Sequence, residues 1–206
     1  MKKTTLKKLT ATALTLVMCL SFASCAGGGS EKGTLNMTDM YTCIQKSEKE
    51  TLNFLDIGES DIEERMEPAK DNVDIILSKE LDYNGINAKV KLMFYKDRLV
   101  SVNYFFEDEK AALKYAQDIC KKFDTVYDTV DGVSFGASIS ELTEEQIKDA
   151  EGKWTNIWVM KDEYNFRKEI ARDERDTDLV MDLSLNKTDK STMISVSIWA
   201  GKVTND

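Results

Sequence analysis

The chain carries acids and aromatics at spacings that could do chemistry, and it has no histidine. The segment DTVYDTVDG, residues 124–132, sets Asp124, Asp128 and Asp131 ahead of Gly132. Calcium takes ~6–8 oxygen ligands, and an EF-hand loop supplies acids at alternate positions with a closing glutamate. Here the intervals are four and then three residues. That spacing reads as a polar loop after a helix, and no metal site is predicted. Asp61, Glu63 and Glu64 form one acidic group, and Glu141, Glu144 and Glu145 form another. A carboxylate pair can hydrolyse a glycoside, but only across a cleft and in unlike surroundings. Both groups fall in first turns of predicted helices, where acids stabilise the dipole. Without histidine, Ser-His-Asp and Cys-His catalysis, His-ligated zinc and the usual proton shuttle are excluded. No catalytic residue and no cofactor is predicted.

The three tryptophans are the other candidates. If residues 154–160 form a strand, Trp154 and Trp158 share a face. Trp199 points away from Ile198, on the side opposite the expected core. Exposed together, Trp154, Trp158 and Trp199 would make a binding patch for a sugar or a protein. The competing reading is a second small core, with Tyr164 and Phe166 covering the rings, since aromatics are mostly buried on average.

Cys25 has a chemistry of its own. The chain opens MKKTTLKKLT, with four lysines and no acid, and continues with the uncharged ATALTLVMCLSFA. A basic start, an apolar middle and small residues before a cut form an export signal. The apolar run is near the ~7–15 residues of a signal core and short of the ~20 of a spanning helix. Phe22-Ala23-Ser24-Cys25 resembles the lipobox of bacterial lipoproteins, with Phe22 where leucine is usual. That resemblance implies lipidation of the Cys25 thiol and cleavage before it. A plain secretory signal or an uncleaved anchor helix are the other readings. AGGGSEKG follows as a flexible spacer, and acyl chains hold a protein through ~0.8 kcal/mol per buried CH2. Ala26 stands where an Asp would matter for sorting, so no retention signal is visible.

Charge narrows the partners. Cutting before Cys25 removes four lysines and no acid, taking the net charge from −9 to −13. Such a surface repels phosphate backbones, so nucleic acid is not an expected partner. Of four cysteines, Cys19 leaves with the signal and Cys25 is lipidated, leaving Cys43 and Cys120. Cys120 falls on an apolar helix face and Cys43 off one, which favours two partly buried thiols. A bridge between them remains the alternative, closing a long loop for roughly 4–5 kcal/mol in the chain-entropy model.

The elements that must position these residues are visible as periodicity. Met40, Tyr41, Ile44, Leu52 and Leu55 predict a helix over 38–55, capped by Thr38 or Asp39 and ending near Gly58. Ser60-Asp61-Ile62-Glu63 has capping-box spacing and predicts a second short helix before Pro68. Val73, Ile75 and Leu77 predict a strand, and Asn84-Gly85 a two-residue hairpin. Ala88, Val90, Leu92 and Phe94 then alternate inward. Val100, Val102, Tyr104 and Phe106 can face them only through a three-residue turn at Lys96-Asp97-Arg98, because the buried pattern sets register. Ala112, Leu113, Ala116, Ile119, Cys120 and Phe123 stripe a helix over 108–123. A short acidic helix over 140–150 follows. Three strands are predicted at 154–160, around 179–185 and at 194–200. KDEYNFRKEIARDERDTD, residues 161–178, reads as solvated helix or loop.

The fold class is therefore α+β: an antiparallel sheet of five to six strands with two to four helices packed on it, in an order that suggests a loose duplication. Residues 1–24 read as signal peptide, 25–36 as flexible tether and 37–206 as one domain. The order resembles the small helix-plus-sheet envelope domains of the BamE and beta-lactamase-inhibitor-protein group, without a motif that transfers a functional residue. The expected function is a lipid-anchored, extracytoplasmic, non-catalytic module binding an envelope protein or glycan. A carboxylate-dependent hydrolase and an inhibitor or immunity-type protein are the alternatives.

Overall fold

The computed structural model describes residues 34–36, 40–129, 138–149, 151–163, 165–172 and 178–201. Cys25 and the signal, Asp131, Tyr164 and the caps Thr38 and Asp39 lie outside them, as does the side chain of Asp128. The described residues belong to one compact unit that begins at Lys32.

The order is β1 Thr34–Asn36, α1 Glu48–Phe54, β2 Ile62–Met66, β3 Asn72–Leu77, β4 Glu80–Tyr83, β5 Ile86–Tyr95 and β6 Arg98–Phe106. It continues with α2 Glu109–Val126, β7 Asp128–Thr129, α3 Glu144–Asp149, β8 Gly152–Met160, α4 Arg167–Ile170, β9 Asp178–Lys187 and β10 Thr192–Gly201. All the described strands form one sheet in the order β1-β4-β5-β6-β10-β9-β8-β7, with β3 beside β5 and β2 beside β3. Every pairing is antiparallel except β1 with β4.

The α+β class thus matches the sequence pattern, with ten strand segments rather than five to six. The difference has four sources, one of them the two-residue β7 beside β8. β3 and β4 are one strand interrupted at Ser78-Lys79, both lying along β5. β1 starts inside the stretch assigned to the tether, and its Leu35 is buried in the core. Finally, Ile62–Met66 is strand rather than helix, pairing Ile62 with Leu77 and Met66 with Asp74. Before it, Glu59–Asp61 form a single 3-10 turn, in which Asp61 accepts the Gly58 N–H at 2.9 Å. The exposed Glu63, Glu64 and Arg65 place charge on this edge strand, which discourages pairing with another chain.

The single helix expected over 38–55 is broken at Gln45, whose φ is 72°. There the backbone turns to pair with β6: Gln45 N–H donates to Leu99 O and Leu99 N–H to Lys46 O, both at 2.9 Å. A new helix starts at Ser47. Its side chain accepts the Glu50 N–H at 3.3 Å and Glu50 Oε2 accepts the Ser47 N–H at 2.9 Å, a reciprocal capping box.

The β5–β6 hairpin solves the register problem differently from the expectation. The turn has two residues, Lys96 and Asp97, both with positive φ at 49° and 60°. Phe94 pairs with Leu99 and Met93 with Ser101, so Val100 is an extra residue in a β-bulge. The bulge restores Val102, Tyr104 and Phe106 to the inner face, where all are buried. Burial of that triplet decides the register, and the backbone supplies the missing step.

α2 covers this face. Asp108 caps it by accepting the Ala111 N–H at 2.8 Å, and the predicted stripe from Ala112 to Phe123 is buried throughout. Burying each large apolar side chain stabilises by ~1.5–3 kcal/mol, so this stripe anchors the layer. All four helices reach the same cluster, α1 through Leu52, α3 through Ile147 and α4 through Ile170. Lys187 secures α3 by donating to the carbonyls of Ile147 and Lys148 while pairing with Glu109 at 2.7 Å. Cys43 and Cys120 are fully buried thiols, not a disulfide.

Candidate functional site

The tryptophans are divided between the two faces of the sheet. Trp158 pairs with Met181, and Trp154 with Leu185, on the face under α2. Trp158 is fully buried, edge-on to Phe123 at 5.1 Å, and its indole N–H donates to Asp124 Oδ1 at 2.8 Å. Trp154 is half-buried against the same core, with its ring over Gly152. Trp199 pairs with Val180 on the opposite face and is 36% exposed. The structure therefore does not bring Trp154, Trp158 and Trp199 into one patch. Phe166 is buried in the α2-side core.

Four of the acids singled out by spacing are engaged locally, while Glu64, Glu141 and Glu145 are exposed. Asp124 binds the Trp158 indole. Asp61 pairs with Lys79 at 3.1 Å, and the Gly58 N–H, helped by that lysine, holds its carboxyl below the usual range. Glu63 lies 3.8 Å from Lys89, and Glu144 lies 2.8 Å from Lys110. Among the described residues, no group of three or more metal-ligating side chains converges. Nor, among them, is any helix long and apolar enough to cross a membrane.

The face turned from α2 carries short polar side chains across the central strands. Ser101 Oγ lies 2.7 Å from Ser197 Oγ and 3.3 Å from Ser195 Oγ, and the latter two are 2.8 Å apart. Thr155 Oγ1 and Ser184 Oγ are 3.2 Å apart, and Ser184 Oγ donates to Asp182 Oδ2 at 3.2 Å. Burial pushes the Asp182 carboxyl up from its ordinary value, with Ser184 and Lys153 opposing. Its Oδ1 is buried without a hydrogen-bond partner among the described residues. Sequence reasoning missed this network. Its only signal was the outward alternation of Ser101 and Asn103, and of Ser195 and Ser197, on two strands that turn out to be neighbours.

At one end of the sheet a cleft of about 900 Å³ opens between the β5–β6 hairpin, the end of β10 and α4. Trp199, Tyr95, Val100, Glu169 and Arg172 line it. Trp199 is positioned by its strand neighbour. A Cβ on Gly201 would fall 1.9 Å from Trp199 Cζ3 and 2.7 Å from Cε3, so the indole lies directly against the Gly201 backbone. Only glycine permits that approach. Val100 reaches the cleft because of its bulge, which sequence periodicity cannot show.

The chain matches no family model, no curated protein and no solved structure.

Proposed function

We propose that this protein is a lipid-anchored domain on the outer face of a bacterial membrane that binds an envelope protein or glycan without catalysing a reaction. The address rests on the resemblance of Phe22-Ala23-Ser24-Cys25 to a lipobox, behind a basic and apolar leader. Diacylglyceryl and a further acyl chain on Cys25 would give the two anchors that stable attachment needs.

The observation that carries binding is the Trp199 cleft. It combines a fixed, partly exposed indole with charged groups from a separate segment, a mixture typical of ligand sites. Of the acids weighed for hydrolysis, Asp61, Glu63 and Glu144 already hold lysines or backbone, which supports the non-catalytic reading.

The test has two arms. Cys25→Ser should abolish incorporation of labelled palmitate and, because the cut depends on the lipidated cysteine, leave the leader attached as a heavier chain. Trp199→Ala in the anchored chain should lower retention on purified envelope fractions. Unchanged palmitate labelling and chain mass defeat the anchor, and unchanged retention defeats the site.

A further inference from the structure

We propose that the Trp199 cleft is a saccharide subsite for neutral oligosaccharides, and that Gly201 is the residue that positions its aromatic platform. This rests on the reading that the cleft is where the domain binds. The chain contains two Trp–Gly pairs two residues apart on one strand face, and they differ. At Gly152 an added Cβ would stand 3.3 Å from the Trp154 ring, which a small shift accommodates. At Gly201 it would stand 1.9 Å from the Trp199 ring, which no small shift accommodates. The Trp154 ring packs on the core, so its position is secured by burial. Trp199 pairs with Val180 on the other face and leaves over a third of its surface in solvent. Its indole is therefore held by backbone contact on one side and exposed at the cleft.

That arrangement suits a pyranose ring. Such a ring has one face of C–H groups, which stacks on a flat aromatic, and a rim of hydroxyls that need donors and acceptors. Tyr95, Glu169 and Arg172 bring phenol, carboxylate and guanidinium to the same cleft. A platform that does not move on binding loses little side-chain entropy. The volume falls in the ~300–1,000 Å³ range of small-ligand sites, and about 900 Å³ accepts more than one sugar ring. The excess of acids over bases argues against a polyanionic glycan.

The experiment uses the full lipidated chain in a polyoxyethylene detergent, which carries no sugar. Cellohexaose, chitohexaose and mannohexaose are titrated by calorimetry and tryptophan fluorescence. At least one should bind with Kd below ~1 mM. Trp199→Ala and Gly201→Ala should each weaken it by about tenfold or more, and Trp154→Phe should leave it unchanged. Gly201→Ala retains the indole, so loss of binding there reports ring position. If that variant misfolds, the double variant Trp199→Ala/Gly201→Ala relieves the clash, and it should fold without binding. Full binding by folded Gly201→Ala overturns the positioning role. Failure of all three sugars, with retention on envelope fractions that depends on Trp199, survives periodate and is lost to protease, overturns the saccharide class but leaves the binding site standing. Retention that does not depend on Trp199 removes both.

Discussion

Asp124 Oδ1 accepts the indole N–H of Trp158 at 2.8 Å. Each residue is a candidate for a different site when read from the sequence, the one for calcium and the other for a binding patch. Together they join the last turns of α2 to β8, with the Phe123 ring packed edge-on at 5.1 Å. A carboxylate acceptor for a buried N–H is a charge-assisted bond, stronger than a neutral one.

Asp124→Ala should therefore destabilise the domain by about 1–3 kcal/mol, the cost of a buried donor left unsatisfied. Asp124→Asn keeps an acceptor oxygen and should lose less. Urea unfolding midpoints measure both. Added calcium should leave the wild-type midpoint unchanged; a marked rise would revive the calcium loop.

Deleting Val100 should leave a folded domain. The deletion removes the bulge while Phe94 still meets Leu99 and Met93 still meets Ser101. Deleting Asn103 instead turns Ser101 toward the core and Val102 away from it, and should abolish cooperative unfolding. Thermal melts followed by near-UV circular dichroism distinguish the two. Equal damage from both deletions would contradict the bulge as the register device.

Cys43 and Cys120 should resist thiol reagents in the native protein. Both are fully buried, and burial pushes the Cys120 thiol up to about 12. Thiolate is the reactive form, so almost none is present at pH 8. A disulfide-exchange chromophore should report no reaction until guanidinium unfolds the chain, and then both thiols. Rapid native labelling of either would show that the core around α2 is open.

Asp182 should make stability fall with rising pH. Burial raises its carboxyl pKa in the folded state above the ordinary 3.8. The folded state therefore holds its proton longer than the unfolded chain. Unfolding free energy drops as pH rises from the ordinary value through the raised one. Asp182→Asn removes the buried charge and should raise the melting temperature at pH 7 while flattening this dependence. Ser184→Ala removes a hydrogen bond that favours the ionised form, and should lower the melting temperature at pH 7. A wild-type profile no steeper above pH 3.8 than that of Asp182→Asn would count against the burial of this group.

Much of the framework was legible because its signals are local. The alternation from Ala88 to Phe94 and the stripe from Ala112 to Phe123 identify β5 and α2, and both are buried as expected. Asn84-Gly85 marks a turn that closes with φ of 54° and 81°. Ile62–Met66 was not legible. Ile62 and Met66 are four apart, a spacing shared by a helix face and by one side of a strand. The free edge of β3 resolves it by offering backbone partners that no local pattern reveals.

By itself the sequence determined which residues of each element are apolar and in what period, and hence the α+β class and the α2-covered layer. Tertiary structure alone decided what each face meets. Trp158 and Trp199 both sit in alternating strands with similar local signals. α2 and Asp124 lie over the first, while the second rests on Gly201 beside a cleft. Periodicity records the sides of an element, but burial depends on a neighbour distant in the chain, and only the assembled sheet brings that neighbour into place.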